Sequence, residues 1–125
     1  MADCPFCNPD DILLENDLAF AKYDLYPVSP GHVLVVPKRH TASWFDLTPA
    51  EQTAMFALAD QTKKLLDERY APAGYNLGIN CGEAAGQTIM HVHLHIIPRY
   101  FGDVPNPRGG IRAVIAAKQD YTHRV

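Results

Sequence analysis

The sequence has no apolar run approaching the ~20 residues needed to cross a bilayer, and no basic stretch followed by an apolar segment at its start. These absences set aside a spanning or exported protein, and the expectation is a cytoplasmic one with no membrane partner. There is no internal repeat and no low-complexity segment. Cysteine is scarce: Cys4, Cys7 and Cys81 are too few for a disulfide framework in a chain of 125 residues. Excess positive charge is missing too. A net charge of −3 offers no basic footprint, so nucleic acid is not an expected partner. Acids are sparse in one region in particular: Glu83 is the only carboxylate between Glu68 and Asp103.

What is present suits one globular domain spanning 1–125. The apolar fraction is 47% and the charged fraction 20%, and a chain of this length buries a core without staples. "LAFAKYD" (18–24) alternates Leu18, Phe20 and Lys22 against Ala19, Ala21 and Tyr23, as a strand does. "YPVSPGH" (26–32) is a turn, because its prolines cannot join a ladder. "HVLVVPK" (32–38) is a central strand, and the pair reads as a hairpin. The spacing predicts one long helix over 48–70. Thr48 is its N-cap, Pro49 its first residue and Glu51 the far side of a capping box. Met55, Leu58, Ala59, Thr62, Leu65, Leu66 and Arg69 form its inward stripe. "YNLGIN" (75–80) and "IMHVHLHIIP" (89–98) are further strands around the glycine-containing loop "CGEAAGQT" (81–88). The class is α+β with a largely antiparallel sheet, in which a single parallel crossover is allowed.

The stretch "HVHLHIIPR" places His91, His93 and His95 at alternate positions, half of the six histidines in the chain. On a strand they share a face, and Val92, Leu94 and Ile96 take the other. Three imidazoles side by side cannot be core without several partners. Three readings compete: a solvated face, a metal site, and a phosphate site in which one imidazole attacks while its neighbours neutralise the anion. Gln87, Thr88 and Asn80 are neutral donors close in sequence, and loop N–H groups cradle anions. A hydrolytic metal site wants a carboxylate base nearby, and only Glu83 is at hand. The phosphate site is therefore favoured. At the other end of the chain "CPFC" (4–7) has the spacing of a metal knuckle or a redox pair. It lacks the preceding strand that thioredoxin-like motifs require.

"GQTIMHVHLHIIPR" is very similar to the signature of the histidine triad family. "PVSPGHVLVVPKRH" (27–40) resembles that family's other hallmark, in the expected order. "NLGINCGEAAGQT" also fits, with Asn80 and Gln87 seven apart. The likeness covers roughly residues 3 to 103 and leans toward the fragile-histidine-triad branch and its bacterial relatives. It implies a five-stranded antiparallel sheet with one long helix, in a homodimer.

The resemblance also implies a nucleotide substrate, a dinucleoside polyphosphate or nucleoside phosphoramidate, cleaved at the α-phosphate through a nucleotidyl-histidine. His93 would be the nucleophile, its ring oriented by the main-chain carbonyl of His91. His95 and His32 would donate to phosphate oxygens. Gln87 and Thr88 would orient the leaving group, Asn80 would support the phosphate, and Asp24 would accept from the ribose. Phe6 reads either as a wall of the base site or as ordinary core. Lys22 departs from the family pattern, which often has an apolar residue at that position against the base. Some bacterial members carry zinc on a set matching Cys4, Cys7, His40 and His91. The competing function is a purine-nucleotide-binding regulatory module whose slow hydrolysis is incidental.

Overall fold

A computed structural model describes residues 4–121. Five strands form one sheet: β1 (Leu14–Glu15), β2 (Ala19–Tyr23), β3 (Val33–Pro37), β4 (Gly74–Ile79) and β5 (Leu94–Arg99). Their spatial order is β1-β2-β3-β5-β4. Every pairing is antiparallel, so the parallel crossover allowed by the sequence is not used. Helix α1 (Pro49–Tyr70) connects β3 to β4 and packs on one face.

The alternation in β2 and β3 decides which residues meet the helix. Ala19 and Ala21 from β2, Val33 and Val35 from β3, and Leu94 and Ile96 from β5 pack with Val92 and with Met55, Leu58 and Leu66 of α1. Full burial of each large side chain contributes about 1.5–3 kcal/mol. The opposite face carries Phe20, Leu34 and Val36, covered by Phe6 from the N-terminal segment.

The helix begins as its sequence predicts. Thr48 Oγ1 accepts from the Glu51 N–H at 3.1 Å, and Glu51 Oε1 accepts from the Thr48 N–H at 2.8 Å. It ends at Ala71, whose φ is +48°. Pro72 follows and disfavours continuation of the helix at the residue before it. Arg69, expected in the inward stripe, is exposed and donates to the Tyr23 hydroxyl at 2.9 Å. Its long cationic side chain reaches the rim of the sheet and leaves the core to Leu66.

Two further expectations are corrected. The short strand β1 carries no alternating pattern in "DDILLEND" and was not foreseen. The strand expected over 89–98 spans only Leu94–Arg99. Residues 89–93 run off the ladder because their polar groups are held elsewhere. The Gln87 amide donates to the Ile89 carbonyl at 3.1 Å, and the His91 ring donates to the Pro37 carbonyl at 2.7 Å. Pro98 lies within β5 opposite Tyr75. The tail segment "IRAVIAA" folds as two short 3-10 turns, Gly110–Val114 and Ala116–Lys118. No helix among the described residues is long and apolar enough to cross a membrane.

Candidate active site and metal centre

The lateral register sets out the site. Lys22 pairs with Leu34, and Leu34 with His95, so these three lie in one row across the face away from α1. The loops from Asp24 and from Asn80 to Ile89 wall the row in. The result is a cleft of about 460 Å³ lined by Phe6, Lys22, Asp24, Leu34, Asn80, Thr88, Ile89, His93 and His95, with Leu25 and Tyr26 at its mouth. Leu25 and Tyr26 were missed in the sequence because "LYPVSP" carries only turn signals. Their large exposure, 68% and 85%, shows apolar surface waiting at an opening.

The hydrogen-bond partners assign the tautomers. The His91 carbonyl must accept, so His93 donates to it from Nδ1 at 2.9 Å. That leaves His93 Nε2 with a free lone pair. The Val28 N–H donates to His32 Nδ1 at 3.2 Å, so the neutral His32 ring carries its proton on Nε2. This N–H reaches His95 Nδ1 at 2.9 Å, and the Asp24 carboxylate lies 3.5 Å from the same nitrogen. His95 accepts on Nδ1 and keeps Nε2–H as a donor. Burial is the main force favouring the neutral form of His32, His91 and His95. It lowers His32 and His91, and with His93 and His32 alongside it brings His95 to about 4. The His93 and His95 ring centroids are 5.0 Å apart, and Phe6 lies 5.1 Å from His93.

Most of the expected site residues therefore converge. His93, His95, Thr88, Asp24, Asn80 and Phe6 line the cleft, and His32 stands behind His95. Gln87 does not join them. Its side-chain nitrogen donates to the Ala42 and Ile89 carbonyls at 2.7 and 3.1 Å, and its oxygen accepts from the Gly82 N–H at 2.8 Å. With every donor and acceptor spent and the side chain buried, Gln87 shapes the loop and is not itself a cleft donor. The sequence showed an amide at the right distance along the chain but not which way it turns.

A second cluster lies behind the first. Cys4 Sγ is 3.3 Å from His91 Nδ1, Cys7 Sγ is 3.1 Å from His40 Nδ1 and 3.6 Å from His91 Nδ1, and the two Nδ1 atoms are 3.2 Å apart. His91 spends its ring proton on the Pro37 carbonyl, so its Nδ1 lone pair points into this group. With the thiols protonated, S–H groups can donate across the cluster; with the thiols ionised, four lone pairs converge on one point and suit a cation there. The ligand edges of a tetrahedral zinc site with two nitrogens and two sulfurs are about 3.3–3.8 Å, and the donor set and its spacings fit. These four residues could hold such an ion. Next to His40, Arg39 forms a two-pronged ion pair with Glu51 at 2.8 and 2.9 Å, joining the end of β3 to the start of α1. That guanidinium holds the Glu51 carboxyl at about 2.

Comparison with known proteins gives the family and the fold. The HIT domain matches residues 6–102. A bis(5'-adenosyl)-triphosphatase of Dictyostelium discoideum is 42% identical over 96 residues, which cover 77% of this chain and 64% of that protein. An asymmetrical bis(5'-nucleosyl)-tetraphosphatase of Schizosaccharomyces pombe is 39% identical over 92 residues, covering 74% and 50%. The chain thus spans about half to two thirds of the length of these relatives. Among solved structures, a zinc-bound histidine triad family protein from Mycobacterium smegmatis superimposes with a TM-score of 0.74 at 32% identity, over 93% of both chains.

Proposed function

Since the chain belongs to the histidine triad family, we propose that it acts as a nucleotide hydrolase or nucleotidyl transferase, cleaving dinucleoside polyphosphates or nucleoside phosphoramidates at the α-phosphate. One observation carries this reading: the 2.9 Å bond from His93 Nδ1–H to the His91 carbonyl. It turns the lone pair of His93 Nε2 free beside a donor, His95, in a cleft of nucleotide size.

In the first step His93 Nε2 forms a bond to the α-phosphorus. The phosphorus–oxygen or phosphorus–nitrogen bond to the leaving group breaks, and its electron pair departs with that group. The positive charge left on the His93 ring is shared through Nδ1–H with the His91 carbonyl. His95 Nε2–H donates to a phosphate oxygen and is held for that by the His32 ring. Thr88 and Asn80 give neutral donors at the cleft wall, and Asp24 accepts from the ribose. In the second step a water oxygen forms a bond to phosphorus, the phosphorus–Nε2 bond breaks with its electron pair returning to the His93 ring, and the water's proton leaves to solvent, which restores the neutral imidazole. Splitting one displacement into two suits an imidazole held in one orientation with a free ring nitrogen.

The second cluster acts as a structural zinc site on Cys4, Cys7, His40 and His91, because a closed set of four ligands leaves no position for substrate. The zinc-bound Mycobacterium smegmatis neighbour supports this reading. The working unit is proposed to be a cytoplasmic homodimer, for which the edge strand β4, with Leu77 half-exposed and Ile111 and Val114 exposed near it, offers surface.

The test is rapid quenching with diadenosine triphosphate, followed by mass spectrometry of the intact protein. A nucleotidyl adduct on His93 is expected. Turnover without that adduct, persisting in His93→Ala, excludes the mechanism.

A further inference from the structure

Lys22 sits mid-strand in β2, on the cleft face, and is only 5% exposed. It lines the cleft two strand spacings from His95, about 10 Å backbone to backbone. Among the described residues its ammonium forms no ion pair or hydrogen bond, while its backbone is part of the β2–β3 ladder. The nearest acid along the strand, Asp24, is already engaged: its Oδ1 accepts from the Tyr26 N–H at 2.9 Å and its Oδ2 faces His32 at 3.5 Å. Its stem is packed in the sheet face while its ammonium, which is not among the fully buried unpartnered atoms, opens to the cleft, so an acceptor that enters the cleft can reach it. The walls beside it are Phe6, Leu34 and Ile89, which are apolar surfaces. They suit the faces of a flat heterocycle and offer a polyphosphate nothing. The missing partner of Lys22 is thus an acceptor at the edge of a ring.

We propose that Lys22 reads the nucleobase and sets the cleft to favour 6-oxopurines, guanine above all, over adenine. This rests on the nucleotide reading given above and goes beyond it by naming the base. Guanine presents O6 and N7 as adjacent acceptors, the pair that lysine recognises. Adenine puts an amino group at the position of O6, so N–H donors would face the ammonium. The assignment separates this chain from the Dictyostelium relative named for adenosyl substrates.

The experiment is calorimetric binding of GMP, IMP and AMP to the full chain and to Lys22→Met and Lys22→Arg. Wild type should bind GMP and IMP about tenfold more tightly than AMP. IMP shares O6 and N7 but lacks the 2-amino group, so it isolates the edge facing Lys22. Lys22→Met should bring the ratio close to one, and Lys22→Arg should keep it. AMP binding as tightly as GMP in wild type overturns the assignment, and this arm stands even if the methionine variant does not fold. An equal loss for all three nucleotides in Lys22→Met assigns the lysine to phosphate and overturns it as well. No binding of any of the three removes the nucleotide reading and this inference together.

Discussion

The two histidine clusters share one residue type and leave opposite ring nitrogens free. In the cleft, His93 and His95 each commit Nδ1 to a protein partner and keep Nε2 available. In the closed cluster, His91 commits Nε2 to Pro37 and turns Nδ1 toward two sulfurs and another imidazole. What an imidazole does here is decided by the partner of its other nitrogen. Two residues along the chain are enough to reverse it.

The largest effect that would break this contrast is removal of the free lone pair. His93→Ala should reduce kcat by about 10³-fold or more while AMP still binds, because only the attacking atom is lost. Retention of most activity would place the chemistry elsewhere. Next comes the closed cluster. Cys4→Ser with Cys7→Ser, or chelation of the wild type, should lower Tm by more than about 10 °C and reduce turnover less than His93→Ala does. Metal analysis of protein grown with added zinc should give close to one equivalent per chain. A value under about 0.2 with a folded protein and reduced cysteines would sink the zinc assignment.

The contrast also has a pH signature. His95 is held at about 4, against ~6.5 for a free imidazole. Between these values the unfolded chain takes up a proton that the folded chain refuses. The stability from this group is complete above about pH 6.5, falls as pH is lowered toward 4 and is gone below that. Its size is at most about 3 kcal/mol. Urea midpoints from pH 7.5 to 4 should fall less steeply for His95→Gln than for wild type, and identical slopes would contradict the assignment. The smallest effect tests whether helix and clusters act independently. Thr48→Ala should cost about 1 kcal/mol in urea unfolding and leave both kcat and zinc content unchanged. A loss of zinc in that variant would show that the capping box, through Glu51 and Arg39, positions His40.

Much of this was legible in the sequence where period and chemistry coincide. The capping box, the helix stripe apart from Arg69, and the two faces of β2 follow from local rules. The convergence of Cys4, Cys7, His40 and His91 was reached only through family likeness, since nothing local brings residue 4 to residue 91. The turn of the Gln87 amide into the loop and the end of β5 at Leu94 were not legible. Both depend on carbonyls, of Ala42 and Pro37, that lie far along the chain. The unpaired state of Lys22 was also invisible, because the sequence shows a charge but not the absence of its partner.

The closed cluster has a consequence in time. Cys4 and His91 are 87 residues apart, so at about 5–20 residues per second the last ligand leaves the ribosome on the order of 4–17 s after the first. Through that interval Cys4 and Cys7 are thiols without their partners, open to oxidation or to capture of a stray metal. The same residue that ends the wait supplies the carbonyl that orients His93. On the proposed function, closing the cluster would also steady the carbonyl that orients His93, so the docking of the N-terminal segment and the aiming of that ring would finish together.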